Sequence, residues 1–161
     1  MGQTKNLIKW CLKKGEEREK HKGLKRINPD KDLAKEHISK EKHYLAATIY
    51  LRDGNYSDIS VSSIFYAMYH CLLAILAKHG YESRNQQCTF AVVDNLIDSK
   101  KISLDKEWLK KIATFDDTSR DDVITLREEF QYGTKTRVNE DKLNILVEDA
   151  KEFIDLISEI I

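Results

Sequence analysis

The chain has 161 residues, 27 Lys/Arg balanced by 27 Asp/Glu, one proline and six glycines. That length holds one well-buried core and is short for two; with few breakers and no sustained period-two alternation, sheet-based classes are excluded and an all-α protein is predicted. The neutral total hides an asymmetry: Met1–His43 carries thirteen Lys/Arg against seven Asp/Glu, so a basic amino-terminal arm on an acidic body is expected. Such an arm suits nucleic acid, the acidic face of another copy, or plain solvation as a basic linker.

In chain order, Lys5–Lys14 reads as a short helix with Leu7, Ile8, Cys11 and Leu12 inward and Trp10 helping it dock. Residues 15–28 form a charge-dense connector. Pro29 and Asp30 open a second helix that runs to about Arg52 and buries Ala34, Ile38, Leu45 and Ile49. The turn Asp53–Tyr56 is short enough to make the next helix its antiparallel neighbour. That helix, Ser60–Gly80, is apolar on every face and is therefore predicted to be the buried staff of a bundle. Its apolar run, interrupted by Tyr66, Tyr69 and His70, falls short of the ~20 residues of a membrane span, so no membrane association is expected.

Ser83 and Gln86 have capping-box spacing ahead of a helix to about Ile97, with Cys88, Val92, Val93 and Leu96 inward. A shorter helix over Ser103–Phe115 carries Trp108, Leu109 and Ile112. After a cap-rich break at Asp116–Ser119, Arg120–Gln131 is helical with Val123, Leu126 and Phe130 inward. The final helix begins at Asn139 and has the clearest amphipathic pattern, from Leu143 to Ile157. The domain expectation is a basic helix and linker over 1–28, then a helical bundle over 29–161.

Cys11, Cys71 and Cys88 are odd in number and far apart in apolar stretches, which predicts reduced core thiols, no disulfide framework and a cytoplasmic protein. His37 and His43 are six apart, not at ligand spacing, and no zinc or phosphate-loop motif occurs; no metal and no cofactor are expected. His70 lies within the central helix, where a core histidine bonded to a phenol or carbonyl is favoured over a catalytic one. Tyr66 and Tyr69 read similarly as core aromatics with satisfied hydroxyls. Arg127 borders the apolar face of its helix and needs a partner for five donors. An internal salt bridge to Glu128, Glu129 or a neighbouring helix is weighted above a phosphate ligand assisted by Tyr132.

Three ordered blocks carry a resemblance: LRDGNYSD at Leu51–Asp58, SSIFYAMYH at Ser62–His70, and LREEFQYG at Leu126–Gly133. From about Lys31 to the C-terminus the chain resembles HEPN-domain proteins (higher eukaryotes and prokaryotes nucleotide-binding), in a prokaryotic branch; residues 1–28 lie outside. The resemblance implies an antiparallel up-and-down bundle of four to five helices, to which the short N-terminal helix adds, commonly as a homodimer. In ribonuclease members an R-x(4–6)-H motif cleaves RNA without metal: arginine steadies phosphate charge and histidine moves the proton. Here Arg127 is followed at those spacings by Tyr132, Gly133 and Thr134, with no histidine.

The expected function is therefore a non-catalytic module binding a nucleotide or RNA phosphate through Arg127 and Tyr132, with Tyr66, Tyr69 and His70 nearby. Its partners would be a second copy and a minimal nucleotidyltransferase in a toxin–antitoxin-like pair. The alternatives are a metal-independent ribonuclease toxin using Arg127 with Tyr132 or His70, and a protein-interaction scaffold.

Overall fold

The computed structural model describes residues 2–17, 20–112 and 123–161. Its described elements are helices α1 (Gly2–Glu16), α2 (Lys31–Asp53), α3 (Ser57–Lys78), α4 (Gln86–Asp98), α5 (Glu107–Ile112), α6 (Val123–Tyr132) and α7 (Glu140–Ile160), with short strands β1 (Leu24–Arg26) and β2 (Tyr81–Ser83). The fold is all-α apart from that ribbon, as the sequence predicts. The proposed cap-rich break at Asp116–Ser119 lies outside the described residues, as do the ends of the two helices predicted to flank it.

The residues group into two compact units: Met1–His37 with Leu72–Lys106 and Ile160–Ile161, and Ile38–Cys71 with Glu107–Glu159. In the first, the charge-dense connector yields strand β1, paired antiparallel with β2 so that Leu24 faces Ser83 and Arg26 faces Tyr81. No periodicity announces a three-residue strand set among charges; its register comes from tertiary pairing. The Ile27 N–H donates to Gly80 O and the Arg84 N–H to Gly23 O, extending the ribbon at both ends. Gly80 sits at φ +84°, the left-handed conformation that ends α3, as its position predicts.

Helix α1 packs on α4, and two details fix it there. Gly15 is so close to the ribbon that a Cβ on it would lie 1.9 Å from Leu24 O, a contact only glycine permits. Cys11 and Cys88 are joined by a disulfide, with Cα atoms 5.8 Å apart, and Cys71 is a buried free thiol. The expectation of three reduced cysteines is therefore corrected: spacing along the chain holds no trace of a pair that only the packing of α1 on α4 brings together. Trp10 is also corrected; it is 45 % exposed and does not dock the helix. Helix α4 is capped by Asn85, whose Oδ1 accepts the Cys88 N–H at 3.1 Å, because Ser83 is committed to β2.

In the same unit the Asp30 carboxylate accepts the Leu33 N–H at 2.9 Å, capping α2 one residue after Pro29. His21 is buried; its Nδ1 accepts the Gly23 N–H, which leaves the Nε2 proton to donate to Glu82 at 3.1 Å. That hydrogen bond holds the Glu82 carboxyl below its usual range, helped by Arg84 and opposed by partial burial.

In the second unit α2 ends at Asp53, its last carbonyls taken by the Gly54, Asn55 and Tyr56 N–H groups, with Asn55 at φ 65°. The chain reverses into α3, and Thr48 shares a 2.6 Å hydrogen bond with Ser63 between the two helices. Ala34 is buried as expected, but Ile38, Leu45 and Ile49 are only half-buried while Glu41 and Thr48 are fully covered. Helix α7 places Leu143, Leu146, Val147, Ala150, Phe153, Ile154 and Ile157 in the core, as its pattern predicts. Phe153 stacks on Trp108 of α5 at 5.3 Å. Among the described residues α3 alone is long and apolar enough to cross a membrane, and 61 % of that stretch is buried inside the protein, the mark of a core helix.

Candidate functional site

The residues singled out by sequence all belong to the second unit; the structure gathers three of the five, Tyr66, Tyr69 and Arg127, around one ring and reaches a fourth, His70, through Tyr44. Phe65, fully buried on α3, is the hub. Tyr69, one turn on, stacks on it at 5.7 Å with planes 15° apart, and Tyr66 meets it edge-on at 5.3 Å. Tyr66 continues to Tyr44 of α2 at 5.6 Å, and Tyr44 stacks on His70 at 5.5 Å. Spacings near 5.5 Å are those at which aromatic pairs attract beyond simple burial. Tyr66 is 38 % exposed and Tyr69 and His70 are half-buried, so these are rim residues of the bundle and not the enclosed core aromatics expected.

Arg127 enters this cluster from α6. Its guanidinium carbon lies 4.4 Å above the centre of the Phe65 ring, a cation–π contact. Its Nε is buried with no hydrogen-bond acceptor, and it forms no ion pair among the described residues. The internal salt bridge favoured from sequence is absent there: Glu128 and Glu129 follow Arg127 directly, point away and are exposed. A guanidinium held by a ring face keeps its in-plane donors for an anion, which the ring cannot supply.

Tyr132 is not part of the cluster. Five residues along a helix turn a side chain about 140° around the axis and ~7.5 Å along it. Arg127 therefore faces inward while Tyr132, 81 % exposed, faces solvent. The pairing of Arg127 with Tyr132 on one ligand is not what this geometry provides.

Sequence reasoning missed Tyr44, which links Tyr66 to His70, and Lys40, whose Nζ lies 5.5 Å from the Tyr44 ring centre. Both sit on α2, where nothing but the antiparallel return of α3 reveals the contact. It also missed a polar cleft of about 790 Å³ at the α2–α3 turn, walled by Arg52, Asp53, Ser57, Arg137, Glu140 and Asn144. Arg52 is engaged there, donating to Asp53 at 3.1 Å and Asn144 at 3.3 Å. Ser57 Oγ accepts the Val138 N–H at 3.0 Å and ties the loop ahead of α7 to the start of α3.

One further group stands out in this unit. Glu41 is fully buried, neither carboxylate oxygen has a hydrogen-bond partner, and its pKa is pushed up to about 7, chiefly by burial, with Lys42 opposing and Asp155 reinforcing the rise. Burial, and then the Glu41 charge, push the Cys71 thiol well above its ordinary range. Among the described residues no group of three or more His, Cys, Asp or Glu side chains is arranged to hold a metal ion.

The family model for the HEPN domain matches residues 34–161, about four-fifths of the chain. No curated protein matches it significantly.

Proposed function

Since the chain belongs to the HEPN domain family, we propose that it is a non-catalytic binding module for a nucleotide or RNA phosphate, with Arg127 as the phosphate ligand. The observation that carries this reading is the Arg127 guanidinium resting on Phe65, with its Nε buried without a hydrogen-bond partner and no ion pair to it among the described residues. Withdrawing a guanidinium partly from water is costly, and an incoming phosphate oxygen offsets that cost. The neighbouring rings of Tyr66, Tyr69 and His70 offer stacking surface for a base.

The cleavage reading is the weaker one. No histidine follows Arg127 at the spacing of the ribonuclease motif, and Tyr132 turns away from Arg127 around the helix. In the wider proposal the module acts as a homodimer with a minimal nucleotidyltransferase in a toxin–antitoxin-like pair, as the family resemblance implies.

The test is RNA binding and RNA cleavage in EDTA by wild type and Arg127→Ala. Binding that weakens at least tenfold in the variant, with no cleavage by either protein, is the expected result. Wild-type cleavage lost in Arg127→Ala would replace this reading with the ribonuclease one, and equal RNA and nucleotide binding by both proteins would remove Arg127 from the site.

A further inference from the structure

Helix α1 lies ahead of the family match, and its surface does not resemble that of a packing element alone. Between Gly2 and Gly15 it carries four lysines and no acidic residue. Lys14 is paired with Glu17 at 3.2 Å, whereas Lys5, Lys9 and Lys13 are exposed and form no ion pair among the described residues. Spaced four apart, these three climb one side of the helix in steps of about 6 Å.

The opposite stripe is fully occupied. Thr4 Oγ1 donates to Asp94 at 3.4 Å, Cys11 is bonded to Cys88, and Gly15 abuts Leu24 O. Their average direction, at 100° per residue, is opposite to that of the lysines and Trp10. Trp10 is therefore a 45 % exposed indole on the basic side, with the Lys14 ammonium 5.9 Å from its centre.

We propose that the outer face of α1, Lys5, Lys9 and Lys13 with Trp10, is a docking surface for single-stranded RNA. The lysines track the sugar–phosphate backbone and the indole stacks on a base. Regularly spaced cations beside an exposed ring are the two components of sequence-tolerant single-strand binding. An anionic membrane is the other polyanion such a helix can meet, but interfacial helices insert a free apolar face. Here Leu7, Ile8 and Leu12 are half-buried and Cys11 is fully buried against α4, so that face is already used. The disulfide and the glycine contact keep the basic face preformed, so little ordering entropy is lost on binding. The inference rests on the proposed function only for its choice of probe, and uses none of the Arg127 cluster.

The experiment measures anisotropy of a labelled mixed-sequence single-stranded RNA against the full chain over a range of salt concentrations. Wild type is compared with the triple variant Lys5→Gln/Lys9→Gln/Lys13→Gln, with Trp10→Ala and with Arg127→Ala, each checked for native circular dichroism. The triple variant should flatten the slope of log K against log salt by about two, three phosphate contacts at ~0.7 each. Trp10→Ala should weaken binding about tenfold at nearly unchanged slope, and RNA should quench wild-type tryptophan emission but not that of Trp10→Ala.

An unchanged slope in the triple variant would overturn the proposal even where Arg127→Ala still reduces binding. The reverse pattern, loss in the triple variant alone, would uphold it while the Arg127 reading fails. Lysine-dependent capture by phosphatidylserine vesicles, or lysine-dependent self-association, without RNA binding would assign the surface to a membrane or a second copy and overturn it.

Discussion

Glu41 makes the pH dependence of stability calculable. Its carboxyl rises from an ordinary 4.5 to about 7 in the folded chain, a difference worth about 3 kcal/mol. Because the folded value is the higher one, folding is favoured most where the group is neutral in both states. The contribution is complete below pH 4.5, declines as pH climbs, and is lost once pH passes about 7. The Glu41 contribution should accordingly be about 3 kcal/mol smaller at pH 8 than at pH 4. Glu41→Gln keeps the shape and removes the titration; Glu41→Leu also removes the unpaired polar atoms. Urea unfolding of all three at several pH values isolates the effect, since every other titrating group cancels in the difference between wild type and variant. The variants should gain on wild type as pH rises, by about 3 kcal/mol in all. Parallel curves would refute the reasoning, and would mean that ionised Glu41 finds a partner or water.

Three more outcomes follow from the packing. Without reductant, the denatured chain should titrate one thiol, Cys71, and after reduction three; native protein should expose none, since Cys71 is buried and its thiolate disfavoured. Reducing the Cys11–Cys88 link, which spans 77 residues, should cost up to about 4.5 kcal/mol in denaturant unfolding, and an unchanged midpoint would count against the cross-link. Gly15→Ala should destabilise by at least about 1–3 kcal/mol, because its Cβ would overlap the Leu24 carbonyl and the backbone must move; a neutral result would mean that α1 and β1 separate freely.

What the sequence disclosed was set by range. The core of α7 and the buried staff of α3 were legible because helical periodicity and all-round apolarity are local properties. The cap of α4 was misplaced by two residues: Ser83 has the right chemistry, but a strand formed with a distant partner claims it, and Asn85 takes the role. The Cys11–Cys88 pair and strand β1 were invisible for the same reason. At the candidate site, the helical phase of Arg127 predicted its inward-bordering position, and its contact with a ring required knowing where Phe65 pointed. Glu41 was passed over because one acidic residue in a helix rich in charge carries no mark of burial.

The ribbon and the cross-link also separate two meanings of the word domain. The stretch recognisable by descent begins at residue 34, yet the unit containing the end of α3 and all of α4 is completed by residues ahead of it. Leu24 is fully buried, the Gly80 carbonyl is satisfied by the Ile27 N–H, and Cys88 is tied to Cys11. An excision at the family boundary would strip β2 of its only strand neighbour among the described residues and uncover the side of α4 that α1 shields. The segment that the family model covers thus shares part of its interior with the residues ahead of it, and a boundary drawn at residue 34 cuts through a packed unit instead of around one.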